Sequence, residues 1–124
     1  MDPGQKIPGP DRPITVEPTG TRVVARVGDR VVADTTSALT LQEASYSAVQ
    51  YVPLADVDRE MLRDSATTTY CPYKGEAGYY TLVPTEGTEL VDAVWTYRTP
   101  YDAVAEIAGH VAFYPDKVEV SVEP

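Results

Sequence analysis

Leu90-Val91-Asp92-Ala93-Val94-Trp95-Thr96-Tyr97 is the stretch on which the fold turns. Val91, Ala93, Trp95 and Tyr97 fall on one side of it, and Leu90, Asp92, Val94 and Thr96 on the other. A period of two belongs to a strand, because successive side chains point to opposite faces. Only the first face is fully apolar, so the pattern predicts an antiparallel sheet with one wet side.

Outward from this strand the same signals recur. Residues 78–83 read as a strand, and 85–88, Thr-Glu-Gly-Thr, as the turn between the two. After 90–97, Thr99-Pro100-Tyr101-Asp102 is a helix start, with Thr as the cap, Pro at the first position and an acid at the third. That predicts a helix over 100–108, buried through Val104, Ala105 and Ala108 and stopped by Gly109. Strands follow at 111–114 and at 118–122, where three valines alternate with Glu119 and Ser121. Nearer the start, residues 22–27 and 31–33 form a hairpin across Gly28-Asp29. Leu39 and Leu41 mark a third strand and 50–52 a fourth. Residues 53–62 have a helix-like spacing that gives a short helix or two turns. About eight strands against one or two short helices make an all-β domain: a single bent antiparallel sheet.

Residues 1–20 hold five of the eleven prolines and three of the eight glycines, with no hydrophobic period. Such chain buries too little to offset its ordering entropy, so 1–20 is expected to be a flexible tail and 21–124 the folded domain. With 124 residues the chain is one domain in size. Its net charge of −9 and pI near 4.4 argue against a nucleic-acid partner, which needs a basic stripe, and against an anionic membrane surface. The opening residues have no apolar core of a secretory signal, and no run is long enough to span a bilayer. One cysteine allows no internal disulfide and no Cys-pair zinc site. The expectation is a cytoplasmic protein with no cofactor and no metal.

Residues 66–80, ATTTYCPYKGEAGYY, stand apart. They carry the lone cysteine, a Lys-Gly pair and four of the nine tyrosines, in a chain with one Phe. A buried phenol needs a hydrogen-bond partner, so a wall rich in Tyr suits a pocket that is apolar but polar-tipped.

The run Thr67-Thr68-Thr69-Tyr70-Cys71-Pro72-Tyr73-Lys74-Gly75 followed by Tyr79-Tyr80 resembles the signature of the domain of unknown function 427 (DUF427) family. So do Ala93-Val94-Trp95-Thr96-Tyr97 with Pro100, Ile107-Ala108-Gly109-His110-Val111-Ala112-Phe113-Tyr114, Arg30-Val31-Val32-Ala33-Asp34 and Tyr51-Val52-Pro53. The resemblance spans about 22–122. It implies a compact, strongly bent antiparallel fold similar to the β-tent, or Mss4-like, architecture of methionine-R-sulfoxide reductases and the thalidomide-binding domain of cereblon. It implies a pocket and fixes no reaction.

The residues leave several chemistries open. Cys71 is a nucleophile if Lys74 or His110, the one imidazole, lies beside it, and otherwise a packed thiol. Sulfoxide reduction in the manner of the reductases wants Cys pairs for zinc and often a resolving Cys, which this chain lacks. Lys74-Gly75 after the threonines could hold a phosphate or carboxylate, or be a solvated turn. Nucleotidyl transfer expects Gly-Ser before paired carboxylates; Asp56 and Asp58 are a pair, but no Gly-Ser occurs. Trp95 reads as core or as part of an aromatic cage.

Together these predict a pocket that binds a small polar or anionic molecule, built from Tyr51, Thr69, Cys71, Tyr73, Lys74, Tyr80, Trp95, His110 and Tyr114. The rival reading is a cysteine-dependent enzyme (Cys71 with His110 or Lys74) acting on a small thiol, acyl or sulfoxide substrate. A third is an interaction module, a homodimer formed through sheet edges.

Overall fold

Valine-rich alternation becomes strand throughout the computed structural model, which describes residues 3–124. Ten strands lie among the described residues: β1 (Ile14–Pro18), β2 (Val23–Val27), β3 (Arg30–Thr35), β4 (Leu39–Glu43), β5 (Val49–Pro53), β6 (Leu62–Cys71), β7 (Gly75–Leu82), β8 (Leu90–Thr96), β9 (His110–Phe113) and β10 (Glu119–Val122). Seven form one sheet in the order β1-β4-β5-β9-β8-β7-β6, and three form a second in the order β10-β2-β3. Every pairing is antiparallel. The chain is therefore mainly β, as the alternation predicts.

The wet side is not found. One face of the large sheet packs Leu82, Val94, Val111 and Phe113 against Val23, Ala25 and Val32 of the small sheet. The other buries Leu41, Tyr51, Tyr79 and Tyr97 with Val104 and Ile107. β1, at one edge of the sheet, touches the 3-10 helix that follows β8, so the sheet curls around this second core. The alternation in 90–97 breaks at Asp92, which takes a left-handed φ of 53° where the β7–β8 register shifts. Val91 is left exposed, and Val94 and Trp95 then serve opposite cores.

The expected helix over 100–108 is corrected to a 3-10 helix at Asp102–Ile107. Tyr101, not Thr99, precedes it, and no side chain caps it. Val104 and Ile107 are buried while Ala105 and Ala108 are exposed. Residues three apart eclipse in a 3-10 turn, and that spacing suits a two-residue anchor. Residues 53–62 resolve into two such turns, Leu54–Asp56 and Arg59–Met61.

Within the stretch 1–20 expected to be a flexible tail, Met1 and Asp2 lie outside the described residues, and Ile14–Pro18 is a strand. Ile14–Pro18 pairs with β4 over five positions, with Ile14 and Val16 packed against the second core. Thr19 continues the attachment, bonding Thr40 and Gln50. Edge strands tolerate flanking prolines because one side of the backbone has no partner to lose.

The large sheet has one thin seam. β5 meets β9 through two ladder pairs, Val52–Val111 and Pro53–His110, followed by one bond from the Leu54 amide to the Gly109 carbonyl. No helix among the described residues is long and apolar enough to cross a membrane.

Candidate functional site

The tight hairpin between β6 and β7 places Lys74. Cys71 pairs with Gly75, and the Lys74 amide donates to the Cys71 carbonyl at 3.2 Å. Gly75 takes a φ of +108°, where a side chain is strained, so glycine is what lets β7 begin there. The turn is held from both flanks: the Lys6 amide donates to the Pro72 carbonyl and the Tyr101 amide to the Lys74 carbonyl. Thus fixed, Lys74 extends its Nζ to Glu43 Oε1 at 2.6 Å and lies 3.7 Å from Cys71 Sγ.

Glu43, at the end of β4, takes a second cation on its other oxygen, Arg12 Nη2 at 2.7 Å. The Arg12 guanidinium in turn lies over the Tyr46 and Tyr73 rings, 5.2 and 5.0 Å from their centres. Burial alone would raise the Glu43 carboxyl. Hydrogen bonds from Lys74 and Arg12 outweigh it and hold the group below its ordinary range. The triad carries two positive charges against one negative.

Beside the triad opens a cleft of about 240 Å³. Six aromatic side chains line it, Tyr46, Tyr51, Tyr79, Trp95, Tyr97 and Tyr114, along with Leu41, Val49, Ser47, Glu43 and Lys74. Strand pleating explains the wall: Tyr79 and Trp95 are cross-strand partners facing the second core. The Trp95 indole N–H donates to the Tyr51 hydroxyl at 3.1 Å, and its ring lies 4.6 Å from that of Tyr114. A line of hydroxyls runs from Thr69 to Tyr79 at 2.8 Å and on to Tyr114 at 3.5 Å. Tyr97 is different. It is 8% exposed, and its hydroxyl has no hydrogen-bond partner among the described residues, yet it lines the cleft.

These phenols hold their protons. Burial pushes Tyr51 up to about 12 and raises Tyr97 as well. Tyr114 reaches about 12, mainly through its bond to Tyr79. A group whose pKa is raised by folding contributes stability below its unfolded value, near 10, and loses it as pH climbs through the folded value. Spectrophotometric titration of phenolate is therefore expected to show a resistant set, Tyr51, Tyr97 and Tyr114, that ionises only well above the ordinary phenol value and together with loss of fold. A single transition for all tyrosines near pH 10 with the fold intact would contradict this arrangement.

Of the residues picked out in the sequence, the structure brings Tyr51, Lys74, Trp95 and Tyr114 to one cleft. Cys71 packs against the same core, half-buried, beside Lys74. Thr69 reaches the wall through Tyr79, and Tyr73 braces Arg12. Tyr80 points to the opposite core, under the Arg98 guanidinium. His110 is not among the residues lining the cleft: its Nδ1 lies 2.9 Å from the Ala108 carbonyl, and no hydrogen bond joins it to Cys71. Glu43, Arg12, Tyr46, Tyr79 and Tyr97 were not among the site residues picked out in the sequence. For Glu43 the only available sign was that it is the acid ending an alternating strand.

A curled β-sheet, covered on one face by a smaller sheet and opening on the other into a phenol-lined cleft with a lysine at its rim, defines the class of domain. The family model described as Domain of unknown function (DUF427) matches residues 15–124, and the chain belongs to that family. A search of the curated proteins finds no match.

Proposed function

We propose that the aromatic cleft binds a small polar or anionic molecule. The observation that carries this is the unpartnered hydroxyl of Tyr97. The Tyr97 ring is largely buried while its hydroxyl oxygen reaches the open side of the cleft, where a polar group of a bound molecule can meet it. Lys74 adds a second handle. An ammonium has three N–H donors; one goes to Glu43 and one faces the Cys71 sulfur, leaving the third for an acceptor in the cleft. The excess of positive charge in the triad favours an anion. A volume of about 240 Å³ lies below the usual ~300–1,000 Å³ of drug-sized sites, so the occupant is small. A reducing compartment, where Cys71 stays a thiol, is in keeping with this reading.

The test uses Trp95, the single tryptophan, as the reporter. Its emission is followed while acetate, benzoate, phosphate and pyrophosphate are titrated to millimolar levels. At least one should give a saturable change, weakened roughly tenfold by Lys74→Gln and by Tyr97→Phe, the loss of one hydrogen bond at each. No saturable response to any of the four would overturn the reading.

A second reading, thiol chemistry at Cys71, draws on the 3.7 Å approach of Lys74. It proceeds without the imidazole that the sequence reading offered, since His110 is engaged elsewhere.

A further inference from the structure

Beyond Trp95 lies a second cleft, of about 440 Å³. Ser47, Val49 and Trp95 line both clefts, so the two are neighbours that share this wall. Their chemistry is segregated. The charged groups, Glu43 and Lys74, stand in the first. The second has no charged residue at all and presents Phe113, Pro115, Val120 and Val122. In a chain carrying nineteen acidic and ten basic residues, an uncharged trough is unusual surface. Val122 is 49% exposed there, although β10 is only four residues long. Apolar surface of this kind can receive an apolar group.

We infer that the two clefts hold one amphipathic small molecule: an anionic head beside Lys74 and Tyr97, and an aliphatic tail passing the Trp95 indole onto Phe113, Val120 and Val122. The inference rests on the reading of the first cleft as a binding site and adds the class of ligand. A purely polar ligand would fill the first cleft and leave the second bare. A purely apolar one would leave the Lys74 N–H and the Tyr97 hydroxyl unanswered. Only a molecule with both parts matches the gradient from phenols and ammonium to valines across a single indole ring. Trp95 is well suited to the join. Tyr51 and Tyr114 fix its ring, so both compartments keep a rigid common wall.

The experiment titrates the full chain with straight-chain carboxylates from butanoate to decanoate, below their micelle concentrations, again reading Trp95 emission. Affinity is expected to rise about three- to fourfold per methylene until the trough is full. Val122→Glu, on half-exposed surface, should flatten this dependence, as should the milder Val122→Ser. Both should leave the shortest carboxylate bound as before. Lys74→Gln should weaken every chain length by one common factor. If short anions bind but affinity does not climb with chain length, the amphipathic inference falls while the binding reading stands. It falls in the same way if the climb survives both Val122 variants. If no carboxylate of any length binds, the amphipathic inference falls, and the binding reading falls with it only when phosphate and pyrophosphate are silent too. A second copy of the chain covering the trough, seen as a dimer by sedimentation that Val122→Glu dissociates, would also overturn it.

Discussion

Deleting residues 1–20 is expected to lower the melting midpoint by about 8–12 °C. The segment supplies a five-position ladder to β4 and leaves that strand as a bare edge when removed. Ile14 and Val16 are half-buried against the second core, and their packing contributes roughly 2–3 kcal/mol together. Each kcal/mol moves the midpoint by about 4 °C in a domain of this size. Arg12 also departs, and with it one of the two hydrogen-bonding partners of the Glu43 carboxylate. A scanning-calorimetry comparison of the full chain with 21–124 decides the matter. A fall of 2–3 °C or less would mean that the segment behaves as a tail and that β1 adds nothing to the fold.

Glu43→Gln is expected to cost about 2 kcal/mol near neutral pH. The Glu43 and Lys74 side chains are each only 12% exposed, and the amide leaves the ammonium without its counter-charge. Removing one partner of a fully buried pair costs about 3–5 kcal/mol, and residual solvent at this site reduces that figure. The effect has a defined pH window. The folded carboxyl titrates below its ordinary value of 4.5, so its contribution is present above that value and lost as pH falls through the depressed one. Denaturant unfolding at a series of pH values should show the gap between the two proteins shrinking in acid. A gap that stays constant from neutral pH to pH ~3 would exclude the ion pair as its cause.

Where side chains alternate without interruption, the strands could be read directly. β2, β3 and β10 carry runs of valine, and the turn between β2 and β3 announces itself with Gly28, whose φ is +57°. β6 could not be found this way. Nearly all of its residues, including Thr67, Thr68 and Tyr70, are exposed on the sheet edge, so no buried face leaves a period in the sequence. β1 was hidden by its prolines. At the site, Tyr51, Tyr114, Trp95 and Lys74 were legible because their chemistry is unusual in itself, while Tyr46, Tyr79 and Tyr97 were not singled out. Glu43 and Arg12 were not, since a single acid or arginine acquires meaning only when the fold sets it beside a partner about 30 residues away. Cys71 and His110 looked like a pair by rarity alone, and rarity carries no geometry.

The two-rung seam between β5 and β9 bears on how the molecule assembles. β4 with β5, and β6 through β9, are local meanders that close small loops. Joining Val52 to Val111 closes a loop of about 60 residues, a costlier step that rewards the chain with little ladder. The two halves can therefore organise separately and dock late. Tyr51 belongs to one half, and Tyr79, Trp95 and Tyr97 to the other. The cleft thus does not exist in either half alone, and its appearance coincides with docking. A molecule bound there, as proposed, would span the joint and stabilise the assembled state by mass action, a clasp on the fold as well as a cargo.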